Sequence, residues 1–447
     1  MRPSIEHLTT AYESFRQARK VPSWYSEAQD KSWQRFAEHG LPWRKDEHWK
    51  YTSLYHLAKI PVVPAPDGHA ETGANPVIYT GDQATVIALA NGRYTPSSSS
   101  PTLPDGVTVT AGVPRDEKRS ALSRQVVRPS VLQDLNAAFA EQWIEITIAD
   151  NTTLSQPLYL WHHTSGEQLL CSPRLVINVG RNCDVTVVEH YGGAGDQCVI
   201  NGSVSVAVAE NSQVHHTKLQ TDHDSTSHLI NTNVDVSADS RYTSLVIDMG
   251  ARLARSDLGI NLNGQGAAAR LYGVFLPAGG QHFDHHSFVK HNLPHTASEQ
   301  DYHGVVGHGG HGVFNGKVLV QPDAQKIEAV QSNDNILLST SAEIDTKPEL
   351  EIYADDVKCA HGATVGQLDE TSLFYLQSRG LSRRDARHLL VEGFIRETFA
   401  TVKCDHFRAF LDQLIETKLN VLVDQLPLDA TEMSSSKPAS GTGPANV

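Results

Sequence analysis

Cysteine is scarce in this chain of 447 residues: Cys171, Cys183, Cys198, Cys359 and Cys404 are odd in number and widely spread. They make no disulfide framework, and a reducing cytosol suits them. Without a CxxC pair, neither a closed zinc ribbon nor a self-contained ferredoxin-type cluster site is expected. The chain also lacks a GxSxG elbow, a P-loop and a GxGxxG turn between strand and helix, so nucleophile and nucleotide signatures are missing. No stretch approaches the roughly 18 to 20 apolar residues of a membrane span. The opening MRPSIEHLTTAYESF has no apolar signal-peptide core, so a cytoplasmic protein is expected. Basic residues number 37 against 51 acidic, a net charge of −14 that disfavours nucleic acid and anionic membranes as partners. Hydrophobic content of 39% is ordinary for a globular protein, and the length suggests two or three domains.

What is present changes period along the chain. Ile5, Leu8, Tyr12 and Phe15 form a helical stripe. A second helix is predicted from Ser26, carrying Trp33 and Phe36 and stopping near Gly40. Trp43, Trp49 and Tyr51 read as anchors that pin these helices to the next domain. Val62 to Pro76 reads as a linker. From about Val77 apolar residues alternate with polar ones, as in Ile144-Ile146-Ile148, Leu175-Ile177-Val179 and Val204-Val206-Val208. Gly, Asn, Asp and Ser turns separate these strands, and one short helix interrupts them near Val131 to Phe139. So long an all-β region is a sandwich, a barrel or a solenoid, and periodicity does not choose. Helical period returns after Gln367. One stripe holds Leu389, Leu390, Phe394, Ile395 and Phe399; the next holds Phe407, Phe410, Leu411, Ile415 and Leu419. By default such stripes serve the chain's own core. From about Leu428 the composition predicts disorder. The expected division is therefore 1–76 helical with linker, 77–366 β, 367–427 helical and 428–447 tail.

Two features carry chemistry. Cys359 and His361 lie two apart on an extended segment, so their side chains share a face and could hold a soft or borderline metal. They could equally be a packed thiol beside a surface imidazole. The apolar parity shifts between Ile352 and Val357, which predicts a corner or bulge at Ala354–Asp356. The second feature is His282, His285, His286, His291, His295, His303, His308 and His311, eight of the 23 histidines. Their spacing fits no ligand signature, and scattered or hydrogen-bonded histidines are the simpler reading. A histidine-rich metal-binding enzyme and a β-helix carbohydrate-active enzyme stand as alternatives from other classes.

The run from Val313 to Arg387, with KPELEIYADDVKCAHGATVGQ at its centre, and RKDEHWKYT at Arg44–Thr52 closely resemble the SufB/SufD family of iron–sulfur cluster assembly subunits, on its SufD side. SufB-like members carry a CxxC-type motif that this chain lacks. The resemblance implies a mainly β fold, a right-handed parallel β-helix flanked by N- and C-terminal helical domains. It implies a non-enzymatic scaffold that pairs with a SufB-like subunit through the β-helix ends and docks a SufC-like ATPase on the C-terminal helices. The docking stripe would be Leu389, Leu390, Phe394, Ile395 and Phe399. His361 first and Cys359 second would serve the cluster-assembly interface, with transient iron or a nascent cluster and no tightly bound cofactor. It leaves room for a homodimer of the isolated chain. The histidine enrichment and the tail are not carried over from the family.

Overall fold

The structure, a computed structural model, describes residues 2–66, 84–114 and 129–424. The tail from 428 and the linker beyond residue 66 lie outside the described residues. Within the linker segment, Val63–Pro64 is already a short strand paired with Leu169–Leu170.

Strands from about Thr85 to Gly366 wind into a β-solenoid of about 8 turns, which resolves the three options that periodicity left open. From Arg174 onward successive strands alternate between two sheets, and each pairs in parallel with the next but one in sequence; before that, Thr85–Ala90 with Arg93–Tyr94 and Val107–Gly112 with Trp143–Ile148 pair antiparallel. Val199–Val208, Ser227–Val236, Leu253–Leu262, His282–His291, His311–Val320 and Glu343–Ile352 follow one another in the first sheet. Gln213–Thr221, Arg241–Asp248, Ala268–Phe275, Ala297–Val306, Ile327–Leu337 and Val357–Gly366 follow one another in the second. Register is unbroken, so inward residues stack in columns; Val206, Val234, Ile260, Val289 and Val318 form one such column, each buried. At six successive corners the chain turns from first to second sheet through one left-handed residue: Asn182, Asn211, Asp239, Gly266, His295 and Lys326. Most are residue types that tolerate positive φ, recurring about every 29 residues. Asn211 donates to Asn182 at 2.8 Å and Asn182 to Asn151 at 2.9 Å, so the turns also stack.

The interior is apolar along one flank and polar along the other. His216 bridges Glu189 and the Tyr242 hydroxyl, 2.7 Å to each. Asp248 lies 3.1 Å from His285 and 3.6 Å from Lys218, all buried. Burial opposes charge on Asp248, yet Lys218, His285 and His228 hold its carboxyl well below the usual range. A buried charge is tolerable only when paired in this way.

Helix α1 (Glu6–Ala18), helix α2 (Ser23–His39) and helix α3 (Val131–Phe139) cover the outer face of the first sheet. Helix α2 starts three residues earlier than its sequence suggested, directly after Pro22. Tyr12 stacks on Trp33 at 4.6 Å, with Phe139 edge-on to both. The Arg44–Thr52 segment docks through charge. Buried Arg255 lies 3.8 Å from the Trp49 ring centroid and donates to His48 O at 2.9 Å. It also bonds Asp284 at 2.6 Å and Asp257 at 2.9 Å. Trp49 is thus the anchor; Trp43 and Tyr51 are only half-buried. Helix α4 (Glu370–Ser378), helix α5 (Arg383–Arg396) and helix α6 (Asp405–Asp424) come after the solenoid, and α5 and α6 cover the outer face of the second sheet. Asp369 and Ser382 cap α4 and α5 by accepting from the first-turn amides.

Burial pushes the rings of His56, His282 and His291 down to about 4 from 6.5. Each is neutral in the folded chain and takes up a proton on unfolding. The stability this confers is complete above pH 6.5 and is lost as pH falls toward 4. Urea unfolding at about pH 5 should therefore show a lower midpoint than at about pH 7.5, by up to about 2 kcal/mol per ring. A midpoint independent of pH over that window would contradict the burial assigned to these rings.

Candidate functional site

Val357–Gly366 is the last strand of its sheet, paired only with Ile327–Leu337. Cys359 stands opposite Ala329 and His361 opposite Gln331. Ala329 and Gln331 face inward and are buried, so Cys359 and His361 continue two inward columns onto the last rung. With no further rung above them among the described residues, Cys359 is half-buried against the core and His361 is exposed. The parity shift upstream is a solenoid corner: Tyr353–Asp356 turn between the sheets, and the strand after them pairs without a bulge.

The thiol is not pre-ionised. Burial pushes Cys359 up from 9.0, only partly offset by a hydrogen bond with the Ala329 backbone. A soft metal must therefore displace its proton, and as a free nucleophile it is slow near neutral pH. Beneath His361 the column continues through Gln331 to Gln300, which accepts from Ser287 at 2.5 Å. Both polar side-chain atoms of Gln331 are buried without a hydrogen-bond partner among the described residues, at the register position under His361. Leaving an amide so placed costs about 1 to 3 kcal/mol. The polar flank escaped the sequence reading, although Val214-x-His216-x-Lys218-x-Gln220 shows its signal, polar groups at inward parity.

Both final strands, Glu343–Ile352 and Val357–Gly366, leave one backbone edge without a strand partner among the described residues. Such edges, ten residues long each, invite pairing with another chain. On the helical side, Ile395 and Phe399 are buried and Phe394 is half-buried against the second sheet. The stripe read as a docking surface is thus largely spent on the chain's own core. The exposed apolar residues there are Phe374, Tyr375, Leu381, Leu389 and Val421, with Leu390 half-exposed; Phe374 is 73% exposed.

The eight histidines scatter, as their spacing suggested, although few are on the surface. His285 and His291 face the interior, and His282 and His286 lie under the N-terminal segment. His303 lies under α5, and His295, His308 and His311 border turns.

A helix-flanked parallel β-solenoid with an open thiol–imidazole rung is the class of protein the geometry defines. The profile of the SUF system FeS cluster assembly SufBD core domain matches residues 162–394. An iron–sulfur cluster assembly SufBD family protein of Synechocystis sp. is 33% identical, covering 85% of this chain and 87% of its own length. Iron–sulfur cluster assembly protein SufD of Escherichia coli is 30% identical over 81% of this chain and 86% of its own. The chloroplastic protein ABCI7 of Arabidopsis thaliana is 29% identical over 79% and 78%. The chain belongs to the SufBD family of iron–sulfur cluster assembly proteins.

Thiol accessibility checks the geometry. Cys171, Cys183 and Cys198 are buried, whereas Cys359 is half-exposed. Brief maleimide treatment of the native chain, read by peptide mass spectrometry, should modify Cys359 ahead of those three by at least about tenfold in rate. The Cys359 rate should climb as pH rises from about 7 to 9. Labelling of Cys183 or Cys198 at a similar rate would contradict this rung assignment.

Proposed function

We propose that this chain is a non-catalytic, SufD-type scaffold subunit for iron–sulfur cluster assembly. Its open last rung pairs with a SufB-like subunit, and its C-terminal helices dock a SufC-like ATPase. The observation that carries the reading is the placement of Cys359 and His361 at the end of two inward columns, on an edge that a partner rung can extend. One thiol and one imidazole do not complete the four ligands a cluster normally takes, so the remaining donors come from the partner. His361 acts as ligand or proton acceptor, and Cys359, a neutral thiol at rest, is second. Iron or a nascent cluster is transient cargo here, and no tightly bound cofactor is required. The lack of a nucleotide signature suits a protein that borrows ATP hydrolysis. The same open edge can join two copies when the partner is missing. No described helix is long and apolar enough to cross a membrane, which accords with a cytoplasmic site of action.

Replacing His361 with Ala should leave complex formation unchanged, because the ring is exposed, and lower cluster assembly by at least about tenfold. Gel filtration and anaerobic reconstitution followed at visible wavelengths measure the two. Full assembly activity in the variant would remove His361 from the site.

The docking surface is tested by Phe374→Asp combined with Leu389→Asp. These exposed side chains contribute little to the fold, so the melting temperature should hold while co-purification of the ATPase falls by about tenfold or more. An ATPase retained at wild-type yield would place docking elsewhere.

A further inference from the structure

We propose that Asp301, His303 and Asp334 form a divalent transition-metal site on the outer face of the second sheet, beneath helix α5. The site is separate from the Cys359–His361 rung and does not rest on the function proposed above. His303 and Asp334 are register partners on the adjacent strands Ala297–Val306 and Ile327–Leu337, and Asp301 lies two residues before His303 on the same face. One donor atom from each of the three falls within 4.8 Å of the other two. Bonds of about 2.0 to 2.2 Å to a common ion need donors about 3 to 3.5 Å apart, which small side-chain rotations supply.

The surroundings are built as metal ligands require. His303 Nδ1 lies 2.7 Å from the Phe394 carbonyl of α5, and a carbonyl only accepts, so Nδ1 carries the hydrogen. Nε2 is then the ring nitrogen directed at Asp301 Oδ1, 3.2 Å away. A lone pair against a carboxylate is repulsive until a proton or a cation lies between them. A proton would need one carboxylate only. Asp334 brings a second, and both its oxygens are already oriented, Oδ2 by the Ser332 hydroxyl at 2.9 Å and Oδ1 by the Thr364 hydroxyl. A backbone acceptor behind the imidazole and hydroxyl donors behind a ligating carboxylate make up the outer shell that fixes a metal site. The Phe394 ring, 4.6 Å from that of His303, shields one side.

One imidazole and two carboxylates suit Zn(II), Fe(II) or Mn(II), and two negative charges match a dication. Three protein ligands leave open positions, so the ion is exchangeable. A cation on Nε2 polarises the ring and strengthens the Nδ1–H donor that ties α5 to the sheet. A second triad, His311 with Glu343 and Asp345, is less enclosed. Among the described residues its one hydrogen bond is made through the Nε2 that would bind the ion, with the His282 ring edge-on at 4.5 Å.

The full chain, stripped with chelator under anaerobic conditions, is titrated with Co(II) followed by its visible absorption, and with Zn(II) by calorimetry. One saturable equivalent is expected, weakened by at least about tenfold in Asp301→Asn and in Asp334→Asn, and retained in His311→Ala and His361→Ala. These Asn substitutions keep side-chain shape, and circular dichroism checks their folding. X-ray absorption of the wild-type Zn(II) form keeps the test decisive should a variant misfold. One imidazole with oxygen ligands supports the site; a sulfur ligand or two imidazoles overturns it. No saturable binding by the wild-type chain, or binding unchanged in both Asn variants, also overturns it and leaves His303 held by a proton alone.

Discussion

Parallel strands stacked in register are the constraint on which this molecule depends. Each rung buries its inward side chains against like positions one rung away, so no rung is stable by itself. The column Val206, Val234, Ile260, Val289 and Val318 contributes about 25 cal/mol for each Å² of apolar surface it removes from water. The left-handed turn residues help keep the successive rungs from Asn182 to Lys326 in phase; a slip by one residue would turn each column inside out. A stack also has ends. The N-terminal helices and Arg44–Thr52 segment cover one outer face, the C-terminal helices the other, and the last rung is left open.

That open rung gives Cys359 and His361 their meaning. An inward column in mid-solenoid would bury an imidazole, as it buries His216 and His285. The same column position at the end leaves His361 exposed and Cys359 half-exposed, with an unpartnered amide from Gln331 below. The function proposed for this rung, a site completed across a subunit boundary, would use this arrangement: donors on their own sheet, with coordination left unfinished. The buried carboxylate–histidine pairs of the polar flank, Glu189 with His216 and Asp248 with His285, are expensive to desolvate and add rigidity through their close polar contacts.

Much of this is legible in the residues alone, and the gaps have physical causes. The amphipathic helices, the corner at Ala354–Asp356 and the Cys359–His361 pair come from local spacing, which the backbone must obey. The polar flank of the bore is not legible, because a histidine at inward parity reads as an interruption of a strand until its carboxylate partner, a rung or more away, is known. The docking stripe is legible only in part, for a related reason. Leu389, Phe394, Ile395 and Phe399 share a helical period, but only packing decides which of them the second sheet consumes.

By itself, then, the sequence determined the element types, the two-residue spacing of the candidate site and the family to which the chain belongs, since these rest on local periodicity and contiguous motifs. Local periodicity left the solenoid open and only the family resemblance implied it; tertiary structure alone decided that Cys359 and His361 end its inward columns and that His303 meets Asp334. The period of two is common to sandwiches, barrels and solenoids, while the contacts that distinguish them join residues about 30 positions apart.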